Sequence, residues 1–91
     1  MSEVRRVRVI VHGFVQAVGF RATARSSARS LELAGWIRNN ADGTVEAELE
    51  GHPDRVDLLV DWFRRGPRGA RVDTIDVEPV EPTGEQGFSI R

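Results

Sequence analysis

Between residues 4 and 12 the chain alternates with period two. Val7, Val9 and Val11 fall on one side, and Arg6, Arg8 and His12, with Ile10, on the other. That pattern predicts a half-buried β-strand. Further on, Phe20, Ala24, Ala28 and Leu31 recur at helical spacing among Arg25, Ser26, Arg29 and Ser30, which predicts an amphipathic helix over about residues 21–33. Residues 35–39 then read as a short strand, 40–43 (Asn-Ala-Asp-Gly) as a turn, and 44–50 as a second alternating strand. Val45, Ala47 and Leu49 point one way and Glu46, Glu48 and Glu50 the other, so the pair reads as a hairpin with one solvated face. The second helix is the best punctuated element. Pro53 sits in its first turn, Asp54 and Asp57 near its start, Arg64 and Arg65 at its end, and Gly66-Pro67 stops it. Val56, Leu59, Val60 and Phe63 make its buried stripe. Residues 71–78 read as a further strand with Ile75 and Val77 on one face, and 88–91 as a short last one. Pro79 and Pro82 punctuate the link between them.

The order is βαββαβ plus a short terminal strand. One polar face on each alternating strand argues for an antiparallel sheet of four to five strands with both helices on one face, an α+β sandwich. The 91 residues suffice for a single domain, 1–91, and no repeat, linker or low-complexity segment divides them. The 13 cationic residues, all arginine, face 14 acids, so no bulk field recruits nucleic acid or an anionic membrane. Cysteine is absent, which excludes disulfides, thiolate nucleophiles and Cys-ligated metals. Arginines interrupt the valines as far as Arg8, so no signal peptide is expected, and no apolar run reaches the roughly 18 residues of a membrane span. A cytoplasmic protein is expected, and a monomer in the absence of an obvious apolar patch.

Chemistry concentrates in residues 12–21, His-Gly-Phe-Val-Gln-Ala-Val-Gly-Phe-Arg, read as a loop from the first strand into the first helix. Gly13 and Gly19 let the backbone turn tightly and bring its N–H groups near a ligand. A helix N-terminus, with unpaired N–H groups and the positive end of the dipole, favours an anion. Arg21 in the first turn opposes that dipole at a cost of a few tenths of a kcal/mol, which an anion, with phosphate the natural candidate, offsets. Spacing alone leaves open a plain turn with a solvated arginine. It is not a P-loop, having no Gly-Lys-Ser/Thr, nor a Gly-x-Gly-x-x-Gly dinucleotide fingerprint.

Gly13-x-Val15-Gln16-x-Val18-Gly19-Phe20-Arg21 resembles the acylphosphatase signature G-x-V-Q-G-V-x-F-R. Gly35-Trp36-Ile37-Arg38-Asn39 followed by Asp42-Gly43-Thr44-Val45-Glu46 resembles the second signature of that family, and Asn39 stands 18 residues after Arg21, the family spacing. The likeness continues through Gly66-Pro67, Ala70-Arg71-Val72 and Phe88-Ser89-Ile90-Arg91, nearly the whole chain. The resemblance implies a ferredoxin-like fold and hydrolysis of the carboxyl–phosphate bond of acyl phosphates. It also implies a phosphoryl group held by Arg21 and by the loop amides of Val15, Gln16, Ala17, Val18, Gly19 and Phe20. Asn39 would hold the attacking water, with no metal, no cofactor and a small acyl phosphate as sole partner. Two departures stand out: Ala17 where the family has glycine, strained if that position needs a positive φ, and Ala24, preceded by Thr23, where threonine is frequent.

Other residues read as structural. His12 and His52 lie outside any metal-ligand spacing. Trp36 and Trp62 read as packing residues, Arg38 as a solvated strand arginine and Asn40 as the start of a turn. RNA binding on the sheet is disfavoured, since residues 4–12 and 44–50 carry no aromatic side chain for stacking. A non-catalytic regulatory module that kept the phosphate cradle is the alternative that Ala17 leaves open.

Overall fold

The alternation at the start of the chain becomes strand β1 (Arg5–Phe14), which runs two residues past the end that the pattern indicated, because a bulge between His12 and Gly13 lets pairing continue. The computed structural model describes residues 3–91; Met1 and Ser2, part of the stretch read as lacking a leader, lie outside the described residues. Helix α1 (Phe20–Ser30), strands β2 (Ala34–Asn39) and β3 (Val45–Gly51), helix α2 (Pro53–Phe63) and strands β4 (Arg71–Val80) and β5 (Phe88–Ile90) follow. The strands form one sheet in the order β4-β1-β3-β2-β5.

The sheet is mixed, which corrects the antiparallel expectation. Three pairings are antiparallel, but β5 runs parallel to β2. Alternation along a strand reports which face is buried and says nothing about the neighbour or its direction. Here β4 and β5 lie on opposite edges, and residues 81–87 carry the chain across one end of the sheet. Entering from that end, β5 must run as β2 does.

Register places the core. Val7 faces Leu49, Val9 faces Ala47 and Val11 faces Val45, all six fully buried beneath the helices. On the other flank of β3, Ile37 pairs with Ala47 and Asn39 with Val45, which puts Asn39 on the helix-covered face. Helix α1 buries Phe20, Ala24 and Ala28, and α2 buries Val56, Leu59, Val60 and Phe63. Phe20, Trp62 and Phe63 meet edge-to-face, with centroids 5.2–5.6 Å apart. This cluster pins the first residue of α1 against α2.

Helix α1 stops at Ser30, not near residue 33. Glu32 takes a left-handed φ of 58°, and Leu33 N–H donates back to the Ala28 carbonyl (2.8 Å) while Glu32 N–H donates to Arg29 (3.1 Å). That is a Schellman closure, with Leu33 buried against the core beyond the helix end. The open face of the sheet is also not the solvated surface expected of Glu46, Glu48 and Glu50. Arg6, only 3% exposed, donates to Glu48 (2.6 Å), Glu50 (2.9 Å), Glu85 (2.9 Å) and the Thr83 hydroxyl (3.0 Å). Glu46 and Glu50 are buried among such partners.

Candidate active site

Strands β1, β2 and β5 point the same way, and their C-terminal ends meet the N-terminus of α1. A cavity of about 200 Å³ opens there. The loop between β1 and α1 contributes Val15, Ala17 and Gly19, and α1 contributes Phe20, Arg21 and Ala22. Asn39 from the end of β2 and Ile90 from the end of β5 complete the wall.

The loop is held at both ends by side chains sunk in the core, Val15 at 1% and Phe20 at 2% exposure. Between these anchors the chain has little freedom. None of the N–H groups from Gln16 to Arg21 donates to a protein acceptor among the described residues, and the helix start carries neither a side-chain cap nor an acid in its first turn. Gly19 occupies the N-cap position with φ 76°, a left-handed conformation that glycine adopts without strain. Gly13 serves a different purpose from the one expected. It lies within β1, at the bulge, where a Cβ would overlap the Arg71 carbonyl of β4. The loop proper therefore begins after Phe14. Ala17 has φ 62°, so the position where the family has glycine does take a left-handed residue.

Arg21 is half-buried, and it joins none of the ion pairs among the described residues. A guanidinium beside a helix N-terminus with no carboxylate opposite makes the cavity electropositive. Asn39 is half-buried, and its Oδ1 is buried without a hydrogen-bond partner. A buried amide oxygen left unpaired is costly, and it marks a position where a donor such as water is favoured. The turn after Asn39 is closed by Asn40 N–H to the Thr44 carbonyl (2.9 Å) and Gly43 N–H to the Asn40 carbonyl (3.2 Å). Within it the Thr44 hydroxyl (2.6 Å) and N–H (3.0 Å) both donate to Asp42, which holds that carboxyl below its ordinary range. Gln16 reaches across from the loop: its Nε2 donates to the carbonyls of Asn40 (2.8 Å) and Thr44 (3.0 Å).

Of the loop residues named from the sequence, Gln16 and Val18 do not line the cavity. The Gln16 side chain is turned to the β2–β3 turn, and Val18 packs against the core. Ile90 and Ala22 were missed. Ile90 lies two residues from buried Phe88 on a period-two strand, so the pattern held the signal for its face. Thr23 is exposed and Ala24 fully buried, so neither supplies the hydroxyl that the family often has there. His52 caps α2 by accepting from Asp54 N–H (3.2 Å), and His12 pairs with Asp76 (2.9 Å). Trp36 packs on the open face beneath the guanidinium groups of Arg38 and Arg91, 5.1 and 4.9 Å from its ring centre. Arg38 is less free than expected: it also donates to Asn40 (3.1 Å) and Glu46 (3.0 Å). Among the described residues, no group of three His, Cys, Asp or Glu side chains is placed to hold a metal ion.

The sequence matches the family model described as Acylphosphatase over residues 7–90. It is 47% identical over 91 residues to an acylphosphatase of Roseiflexus sp. (strain RS-1), covering 99% of this chain and 98% of that one. An acylphosphatase of Anaeromyxobacter dehalogenans (strain 2CP-C) is 48% identical over 92 residues, covering 100% and 99%. The crystal structure of the acylphosphatase from Bacillus subtilis superposes with a TM-score of 0.92 at 34% identity, covering 98% and 99% of the two chains.

Proposed function

Since the chain belongs to the acylphosphatase family and hydrolyses acyl phosphates to a carboxylate and inorganic phosphate, we propose that its chemistry takes place in the cavity at the start of α1. Arg21 and the N–H groups of residues 15–20 hold the phosphoryl oxygens, the guanidinium through charge-assisted bonds to two of them. Asn39 holds the attacking water, its Oδ1 accepting from that water and aiming it at phosphorus in line with the leaving carboxylate. Phosphoryl transfer to water passes through a loose transition state in which the nucleophile is little deprotonated. The carboxylate leaves without a proton, and a phosphoryl oxygen can take the one the water releases. No general base is then needed, and we propose that no metal is needed either.

One observation carries this reading. Among the described residues, an arginine without an acidic partner, a run of N–H groups without acceptors and an amide oxygen without a donor all converge on the same cavity. The open face of the sheet, by contrast, has Arg6 and Arg38 paired with acids and its tryptophan only 7% exposed, which speaks against Trp36 as a stacking platform for RNA. We read the 91 residues as one domain acting as a cytoplasmic monomer with a small acyl phosphate as its only partner. Among the described residues, no helix is long and apolar enough to cross a membrane.

Turnover of a synthetic acyl phosphate, with and without EDTA, and inhibition by inorganic phosphate form the test. Arg21→Lys keeps the charge and loses the planar fork, so activity and phosphate inhibition should fall together. Asn39→Ala should lower kcat by about 10²–10³ and leave phosphate inhibition nearly unchanged, because the water's contact matters chiefly on the way to the transition state. EDTA should leave the parent enzyme at full rate. Arg21→Lys with most of its kcat/KM, or Asn39→Ala within a few-fold of the parent, would sink this assignment.

A further inference from the structure

We infer that Gln16 is a positioning residue: its side chain ties the phosphate loop to the turn behind Asn39 and so sets the distance between the two halves of the site. The inference rests on the roles proposed above for Arg21 and Asn39. Those two residues come from different elements, α1 and β2, and in-line attack requires water and phosphorus to be aligned to a fraction of an ångström. Each element is held in the core, but the connection between the loop and the β2–β3 turn is narrow. Among the described residues, the two bonds from Gln16 Nε2 to the Asn40 and Thr44 carbonyls are the only hydrogen bonds between residues 15–19 and 40–44.

The chemistry of the tie is specific. A primary amide has two N–H groups on one nitrogen, and here each finds a carbonyl. The Asn40 carbonyl lies in the peptide one residue beyond Asn39, so the bond holds the start of the turn into which the Asn39 end of β2 runs. The Thr44 carbonyl also accepts Asn40 N–H, so Gln16 seats itself on the closing bond of the turn. A glutamate at this position would bring only acceptors to two acceptors when ionised, and a methionine would fill the space without donating. The turn keeps its own closure through Asn40, Asp42, Gly43 and Thr44, so its fold does not depend on Gln16.

The test is a cycle on kcat using Gln16→Met, Asn39→Ala and the double variant, with inhibition by inorganic phosphate measured for each. Gln16→Met should lower kcat by about 10- to 100-fold and shift phosphate inhibition by less than about three-fold. In the Asn39→Ala background the same substitution should cost less than about two-fold, because Gln16 acts through Asn39. If Asn39→Ala is crippled while Gln16→Met is not, or if the two losses simply multiply, Gln16 has no such role and the reading of Asn39 survives. If Asn39→Ala retains full turnover, the assignment of Asn39 fails and this inference with it. A Gln16→Glu variant covers the case in which Gln16→Met does not fold. Protonation restores one donor to the glutamate, so its kcat relative to the parent should rise as pH falls through the carboxyl range. A ratio that stays flat with pH overturns the tie.

Discussion

Ala17 holds a left-handed φ of 62° on an exposed stretch of the loop, between two side chains locked in the core. For alanine that conformation costs about 1–2 kcal/mol. Ala17→Gly removes the strain but adds roughly 0.5–1 kcal/mol of chain entropy lost on folding. The expected outcome is a melting temperature unchanged or a few degrees higher, with turnover equal or raised; a clear drop in either would show that the Ala17 methyl rigidifies the cradle. Single residues were legible to different degrees. Arg21 and Asn39 stood out because each sits in a motif whose residue types match a chemical task. The Gln16 side chain was opaque because a loop sequence does not reveal which turn lies across from it. Glu46, Glu48 and Glu50 were read as solvated because their partners, Arg38 for Glu46 and Arg6 for Glu48 and Glu50, looked like outward residues of other strands.

Helix α1 shows how an element can be recognised and still mismeasured. Its apolar period continues to Leu31, so nothing in the spacing marks an end at Ser30. Leu33 is buried beyond the helix end because the Schellman closure folds it back onto the core. The punctuation is missing because Glu32 occupies the left-handed C′ position where glycine is preferred. Glu32→Gly should therefore stabilise the protein by up to about 1 kcal/mol, or several degrees in Tm for a domain of this size. It also removes an exposed ion pair with Arg55 (3.1 Å), and such pairs are worth little. A thermal melt checks this, and a lower Tm would mean that the Arg55 pair matters more than the backbone. Helix α2 was legible at both ends because Pro53 and Gly66 mark them, and β1 ran past its expected end only because a bulge carries pairing through Gly13.

At the scale of the molecule, the parallel placement of β5 is what the pattern could not supply and what the site needs, since it delivers Ile90 to the cavity wall. The link that makes this possible, residues 81–87, crosses the far end of the sheet and is fastened there by charge. Arg6 gathers Glu48, Glu50 and Glu85, while the N–H groups of Thr83 (2.8 Å) and Gly84 (2.9 Å) donate to Glu50. Burial works to raise the Glu50 pKa, but the Thr83 N–H, the Arg6 guanidinium and the Gly84 N–H together hold it below the ordinary value. A carboxylate lowered in this way contributes stability above its unfolded pKa of about 4.3 and loses that contribution as pH falls further toward the folded value. Acid should thus loosen this end of the sheet first. Arg6→Met leaves Glu48 and Glu50 without their cation in a largely buried setting, which should cost about 3–5 kcal/mol near neutral pH. Glu50 then loses the cation that helps hold its pKa down, so its folded pKa rises and the stability gap between parent and variant should narrow as pH is lowered toward 4. Arg6 lies eight positions along β1 from Phe14, about 26 Å from the site end, so kcat per folded molecule should not change. Urea melts at a series of pH values, with kcat on the folded fraction, test all of this. A gap that stays constant or widens in acid would mean that the carboxylates find other partners and that Arg6 is not the clasp on the crossing segment.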